Sequence, residues 1–268
     1  MDNRPIGVFD SGLGGLSAVK EMMNLMPNED VIYFGDTGRV PYGSRSQETL
    51  IKYVSQDIRF LKTFDIKMII IACGTASSAV LPWISDGLDT KILGVVEPAS
   101  KAAVLASRSN RIGVLGTAAT IRYGKYVEYI KKLNPEAEVF QKACPMFVPL
   151  VENGYADSEV TKIIAKEYLL DLKDKGIDTI ILGCTHYPLL KEVIQDIAGN
   201  DVTLIDSGAE ASKAAFELLK KENMQSGKEK GSYKYFVSDS PCDFAKFGGI
   251  FLQKPMCENI EKIDIEKY

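Results

Sequence analysis

The sequence predicts an α/β fold of two similar domains, each a mainly parallel sheet flanked by helices, with the active site in the cleft between them. Three observations carry this. Short β-branched runs alternate with helical patterns, which is how strands covered by crossover helices read. The runs Met68-Ile69-Ile70-Ile71 and Ile180-Ile181-Leu182 are apolar on both faces, as central parallel strands are. The chain also repeats itself: Gly7-Val8-Phe9-Asp10-Ser11 has a counterpart in Gly113-Val114-Leu115-Gly116-Thr117, and Ile70-Ile71-Ala72-Cys73-Gly74-Thr75 in Ile181-Leu182-Gly183-Cys184-Thr185, at nearly the same spacing.

In chain order, the first series of strands is expected at Ile6 to Phe9, Val31 to Phe34, Met68 to Ala72 and Ile92 to Val95. The second falls at Ile112 to Leu115, Ala137 to Phe140, Thr179 to Leu182 and Val202 to Ile205. Helical patterns occupy Gln47 to Thr63, Lys101 to Ser107, Ile121 to Leu133 and Ser158 to Lys173. After Ile205 come Ser207-Gly208, a helix through Leu219, a polar loop from Glu222 to Ser232 and a strand from Tyr233 to Val237. This tail is expected to cross back, so the first domain comprises residues 1–96 with 208–268 and the second residues 97–207.

Composition narrows the function. Hydrophobic residues make up 46% and charged residues 25%, ordinary for a globular chain. The net charge of −4 argues against a nucleic-acid partner, since phosphate binding needs basic stripes and the densest lysine cluster, Lys220 to Lys230, is interrupted by Glu222 and Glu229. No apolar run approaches the ~18 residues of a membrane span, and Asp2 stands where an export signal would be basic. A cytoplasmic location without membrane contact is the expectation. The five cysteines, at 73, 144, 184, 242 and 257, lack paired spacing, so free thiols are expected.

Ligands of parallel sheets bind beyond the carboxyl ends of strands. Asp10-Ser11, Cys73-Gly74-Thr75, Thr117 and Cys184-Thr185-His186 all fall there. Two thiols across a cleft suit proton transfer at carbon: one thiolate removes a proton while the other thiol returns one to the opposite face. A free thiol has a pKa of ~8.5, and a helix N-terminus lowers it. Each cysteine precedes an expected helix start, with Thr75 and Thr185 as caps. His186, the single histidine, lies beside Cys184, and Asp10 stands in a similar relation to Cys73, although an Asp at a strand end also serves as a helix cap. The segment Ser11-Gly12-Leu13-Gly14-Gly15-Leu16-Ser17 departs from the dinucleotide fingerprint at Ser17, even with Asp36 where a ribose-binding acid would stand. Its glycines equally suit close backbone approach to a carboxylate.

Taken together the chain resembles the glutamate racemase family. The matching pieces are Ile6 through Leu16, Gly35-Asp36-Thr37, Val40-Pro41-Tyr42-Gly43, Ala72-Cys73 with Thr75-Ala76-Ser77, Cys144-Pro145, Val148-Pro149-Leu150-Val151-Glu152 and Gly183-Cys184-Thr185-His186-Tyr187-Pro188. The resemblance implies an isomerase that interconverts L- and D-glutamate and supplies D-glutamate for peptidoglycan, the cell wall and cell shape. It implies no cofactor and no metal. Cys73 would act on D-glutamate and Cys184 on L-glutamate, with Asp10 and His186 assisting and Glu152 a further candidate. Ser11, Pro41, Tyr42, Gly43, Gly74, Thr75, Thr117, Thr120 and Thr185, together with Asp10 and His186, would hold the substrate, largely through hydroxyls and backbone amides. A homodimer is also implied. Gly74 replaces the family's usual Asn, removing a side-chain amide from that corner, and Gly38 replaces a common Ala. Cys144 reads as structural, Cys242 and Cys257 as incidental. Three other readings stand beside this one: a two-cysteine enzyme acting on aspartate or another acid, a non-catalytic small-molecule binding protein, and a zinc site built from Asp10, Cys73, Cys184 and His186.

Overall fold

A computed structural model of the chain describes residues 1–84, 89–256 and 260–268. The strands among them are β1 (Ile6–Asp10), β2 (Val31–Gly35), β3 (Met68–Ile71), β4 (Lys91–Gly94), β5 (Arg111–Gly116), β6 (Glu138–Ala143), β7 (Thr179–Leu182), β8 (Thr203–Asp206), β9 (Tyr233–Val237) and β10 (Ile260–Lys262). They form a six-stranded sheet in the order β10-β9-β2-β1-β3-β4 and a four-stranded sheet in the order β6-β5-β7-β8. Every pairing is parallel.

The internal repeat is visible in this topology. Strands β2-β1-β3-β4 run in the same spatial order as β6-β5-β7-β8, so β1 corresponds to β5 and β3 to β7. In each sheet the order reverses between the first and third strands of the series, the switch point beyond which parallel sheets bind ligands. Asp10 ends β1 with Ser11 just beyond it, Cys73 lies just past β3, and Thr117 and Cys184 lie just past β5 and β7. The pattern places all four short segments at equivalent carboxyl ends.

In the tail, β9 pairs with β2 and β10 with β9. It is fastened by an aromatic cluster in which Phe60 meets Phe34, Phe64, Phe236 and Tyr268 at centroid distances of 5.1–5.6 Å, close enough for favourable tilted and edge-on packing. The helix Ser207–Lys221 packs against Leu16–Leu25, where Ser212 Oγ donates to the Ala18 carbonyl at 3.1 Å and Gly208 lies directly on Ala18. The two sheets are thus joined through helices as well as through the cleft.

Several elements differ from the sequence reading for identifiable reasons. The region Ile121 to Leu133 is two helices, Ala118–Tyr123 and Lys125–Leu133, broken at Gly124, whose φ of 64° is left-handed and costs glycine nothing. The helix expected from Lys101 begins at Val96 and ends at Ala106. Pro98 hides its start, yet it sits in the first turn, where a missing N–H leaves no bond unmade. The edge strand β10 has no counterpart in the sequence reading, since three residues, Ile260-Glu261-Lys262, show no period. Cys257, read as incidental, lies outside the described residues.

Candidate active site

Asp10, the last residue of β1, is fully buried, and its Oδ2 accepts the Gly12 N–H at 3.0 Å. Burial raises its pKa, against the pull of His186 and of the Gly15, Gly12 and Ser11 amides. The carboxylate therefore organises the glycine turn; the adjacent helix starts only at Leu16 and has Gly15 as its N-cap. Thr185 Oγ1 lies 3.5 Å from Asp10 Oδ1, bringing the second sheet's loop to the first sheet's acid.

Cys73 follows β3 and is itself the N-cap of the helix Gly74–Ala79, its sulfur accepting the Ala76 N–H at 3.5 Å while the thiol reaches Ser11 Oγ at 3.6 Å. Two expectations are corrected here. Thr75 lies inside the first turn rather than capping it. The Cys73 pKa is not lowered by the helix: burial and the nearby Asp10 charge push it up to about 12, outweighing the Ala76 amide and Ser11. The dipole of a six-residue helix does not offset desolvation of a thiolate here.

The other thiol has a different setting. Cys184 follows β7 through Gly183, and its sulfur lies 3.9 Å from His186 Nδ1. The opposite ring nitrogen is 3.0 Å from Glu152 Oε1, at the end of the helix Phe147–Glu152. Burial disfavours the imidazolium, but Cys184 and Glu152 together raise the His186 pKa to about 10. At neutral pH the raised imidazole pKa puts a cation beside Cys184, whereas the corresponding group near Cys73 is the buried acid Asp10. Phe251 packs edge-on against the His186 ring, 5.3 Å between centroids. Thr185 does not cap a helix either, because the chain continues from His186 into the short 3₁₀ segment Tyr187–Leu190.

Both thiols line one cavity of about 340 Å³. Ser11, Pro41, Tyr42, Gly43, Gly74 and Thr75 contribute from one side, and Thr117, Thr185, His186 and Glu152 from the other. Asp10 and Thr120 lie behind this wall rather than on it. Thr120 belongs to a hydroxyl cluster that crosses the cleft, with Thr75 Oγ1 2.9 Å from Thr117 Oγ1 and Thr117 Oγ1 3.0 Å from Thr120 Oγ1. The Tyr42 hydroxyl points elsewhere: it donates to Asp36 at 2.5 Å and Asp57 at 3.0 Å. Sequence reasoning missed the apolar part of the wall, Val40, Pro145, Val148 and Pro149, along with the buried Cys144. All five stand in segments that carried the family resemblance, but apolar side chains give no chemical signal of a site.

Two alternative readings lose their geometry. The space at Gly14 that a dinucleotide phosphate would use is filled by Thr185 and His186. Asp36 is bound to Arg39, Tyr42 and Ser238. Among the described residues no three His, Cys, Asp or Glu side chains converge to hold a metal ion. No described helix is long and apolar enough to cross a membrane.

Two parallel α/β sheets with a cysteine at the same strand end of each, opening on one cavity, define a class of protein. The Asp/Glu/Hydantoin racemase family has a profile that matches residues 16–215, and the chain belongs to that family. Among curated relatives it is 46% identical to a glutamate racemase of Geobacter metallireducens, over 93% of each chain. To that of Streptococcus gordonii it is 45% identical over 97% of this chain and all of the other. Among solved structures, the glutamate racemase of Francisella tularensis in complex with D-glutamate superposes with a TM-score of 0.93 at 40% identity over the full length of both chains. A Bacillus anthracis glutamate racemase superposes with a TM-score of 0.95 at 33% identity over 98% of each.

Proposed function

We propose that this chain is a glutamate racemase working through two thiols and no cofactor. The observation that carries the mechanism is the placement of Cys73 and Cys184 at equivalent strand ends on the wall of one cavity. In the L-to-D direction the Cys184 thiolate takes the α-proton, and the Cys73 thiol delivers its own to the opposite face of the same carbon. The enzyme is left with a protonated Cys184 and a Cys73 thiolate. In the reverse direction the roles exchange.

The electrostatics suit this division. With a pKa pushed up to about 12, Cys73 holds its proton at neutral pH and is ready to give it. The His186 cation stands beside the sulfur that must carry negative charge at the start. Once Cys73 has donated, Asp10 is poorly placed to tolerate a neighbouring thiolate, which favours rapid reprotonation. Hydroxyls and amides of Ser11, Gly43, Gly74, Thr75, Thr117 and Thr185 hold the substrate and stabilise the carbanion-like state in the cavity.

The cavity reading extends to the organisation of the chain: residues 1–96 with 208–268 act as one domain, residues 97–207 as the other, and the substrate binds between them. The protein works in the cytoplasm as a homodimer, supplying D-glutamate for peptidoglycan. Chiral chromatography of L-glutamate and L-aspartate incubated with the purified protein tests the activity. D-glutamate forming much faster than D-aspartate is expected, and an optically unchanged glutamate solution refutes it. Sedimentation velocity tests the dimer.

A further inference from the structure

Two glycines from the first sheet's loops lie against the loop that carries the second thiol. At Gly74, the residue after Cys73, a Cβ would fall well inside 3.0 Å of the Gly183 carbonyl oxygen, and the next nearest atoms are the Gly183 carbonyl carbon and the Cys184 Cα. At Gly14 a Cβ would overlap Thr185 Oγ1 and lie 2.7 Å from His186 Nδ1. The chain's own backbone thus touches backbone across the cleft at Gly74. Neither glycine has a left-handed φ, so backbone conformation does not require them. What requires them is the closeness of the segment Gly183–His186.

From this contact we infer that Gly74, with Gly14 beside it, forms a side-chain-free seat that fixes how near the Cys184 loop comes to Cys73, and so sets the span over which the proton is exchanged. Gly74 is a positioning residue: it acts on the distance between the two reacting sulfurs. The obstacle at Gly74 is a backbone carbonyl rather than the far end of a flexible side chain, and its residue is tied to the second sheet just past β7, where the Gly183 N–H donates to the Leu115 carbonyl at 2.8 Å. An added methyl group must move the two loops apart by something on the order of 1 Å, a displacement large enough to cost about a hundredfold in a reaction that depends on near-attack geometry. The Asn expected here from the family resemblance carries the same Cβ, so this cleft could not accommodate it without opening.

The inference rests on the two-thiol reading of the site and makes a separable prediction. A carbanion formed by Cys184 either proceeds to D-glutamate, when Cys73 delivers a proton, or returns to L-glutamate from Cys184. Widening the gap slows delivery by Cys73 more than return from Cys184. In heavy water the hydrogen taken up by Cys184 can be replaced by deuterium from solvent before it is handed back, so deuterium appearing in recovered L-glutamate at early times counts return after that exchange, and D-glutamate measures inversion. Their ratio is independent of how much of a preparation is folded, so a merely unstable variant leaves it unchanged.

For Gly74→Ala we expect inversion to fall by about a hundredfold and the ratio of exchange to inversion to rise at least several-fold over wild type. An unchanged ratio overturns the inference, whether or not the rate falls. If Gly74→Ala does not yield folded protein by circular dichroism, Gly14→Ala decides by the same criterion with a smaller rise, because its methyl meets the Thr185 and His186 side chains rather than backbone. Wild-type protein that forms no D-glutamate removes the underlying reading, and the inference with it. Wild type that racemises while both variants keep its ratio refutes the seat alone.

Discussion

Replacing Arg39 with Met removes the cation at the centre of a buried network behind the cavity. Its guanidinium is 2.7 Å from Asp36, 3.0 Å from Asp57 and 2.5 Å from Gln56, and reaches Glu266 at 3.3 Å. Both aspartates are fully buried. With the arginine gone they face each other with the Tyr42 hydroxyl shared between them. Breaking a buried pair this way costs about 3–5 kcal/mol, while the Glu266 arm, more than half exposed, adds under about 1 kcal/mol. The penalty depends on pH in a definite direction. Burial and the Asp36 charge already hold the Asp57 pKa well above the carboxylate range, and Arg39 opposes them. Without Arg39 that pKa rises further, which widens the pH range over which folded Asp57 holds a proton and unfolded Asp57 does not. A group whose folded pKa is raised favours the folded state below its unfolded pKa and loses that contribution as pH rises through the folded value. The variant's penalty is therefore largest at mildly alkaline pH and relaxes in mild acid. Urea unfolding of wild type and Arg39→Met at about pH 8 and about pH 5.5, with the m-value checked for constancy, measures this. A loss under about 1 kcal/mol, or a penalty that grows in acid, refutes the reasoning. Arg39 also anchors the loop carrying Pro41, Tyr42 and Gly43, so the KM for glutamate should rise several-fold.

His186 is the sole histidine, so one imidazole resonance reports it without ambiguity. NMR should show it protonated at neutral pH with a midpoint near about 10, and Glu152→Gln should move the midpoint down; titration near the ordinary histidine value would contradict the paired arrangement. The same shift predicts a stability contribution fully present below about pH 6.5 and lost as pH rises through about 10, readable from thermal melts. At Gly35, where a Cβ would stand 2.5 Å from the Gly12 carbonyl oxygen, substitution by Ala should cost about 1–3 kcal/mol in urea unfolding; a neutral result would mean the turn yields freely. Phe236→Ala opens the aromatic cluster that fastens the returning tail and should cost about 3–5 kcal/mol by the same assay; a loss below about 1 kcal/mol would show the cluster to be incidental.

Much of this is legible in the residues. Apolar runs such as Ile180-Ile181-Leu182 mark buried parallel strands because both faces are covered, and the repeated strand ends put Cys73 and Cys184 in matched positions. The settings of the two thiols are not legible. Whether Cys73 gains or loses acidity depends on burial against a short helix and on Asp10, neither of which spacing reveals. The role of Gly74 is also hidden. In sequence it is an absent amide; in three dimensions it is the point where the two sheets' loops touch. Val148 and Pro149 line the cavity yet look like any helix start, and β10 is too short to show a period. Sequence carries the local pattern well and loses the distance between segments far apart in the chain.

On the mechanism proposed, the two thiols, one on each side of the cavity, share the reaction. The most direct test is to follow deuterium at the α-carbon when L-glutamate is incubated in heavy water with wild type, Cys73→Ser and Cys184→Ser. Wild type should give D-glutamate carrying one α-deuterium from the first turnovers, and each single-thiol variant should give none above background. D-glutamate that retains the original α-hydrogen, or a variant lacking either thiol that still inverts at close to the wild-type rate, would contradict it.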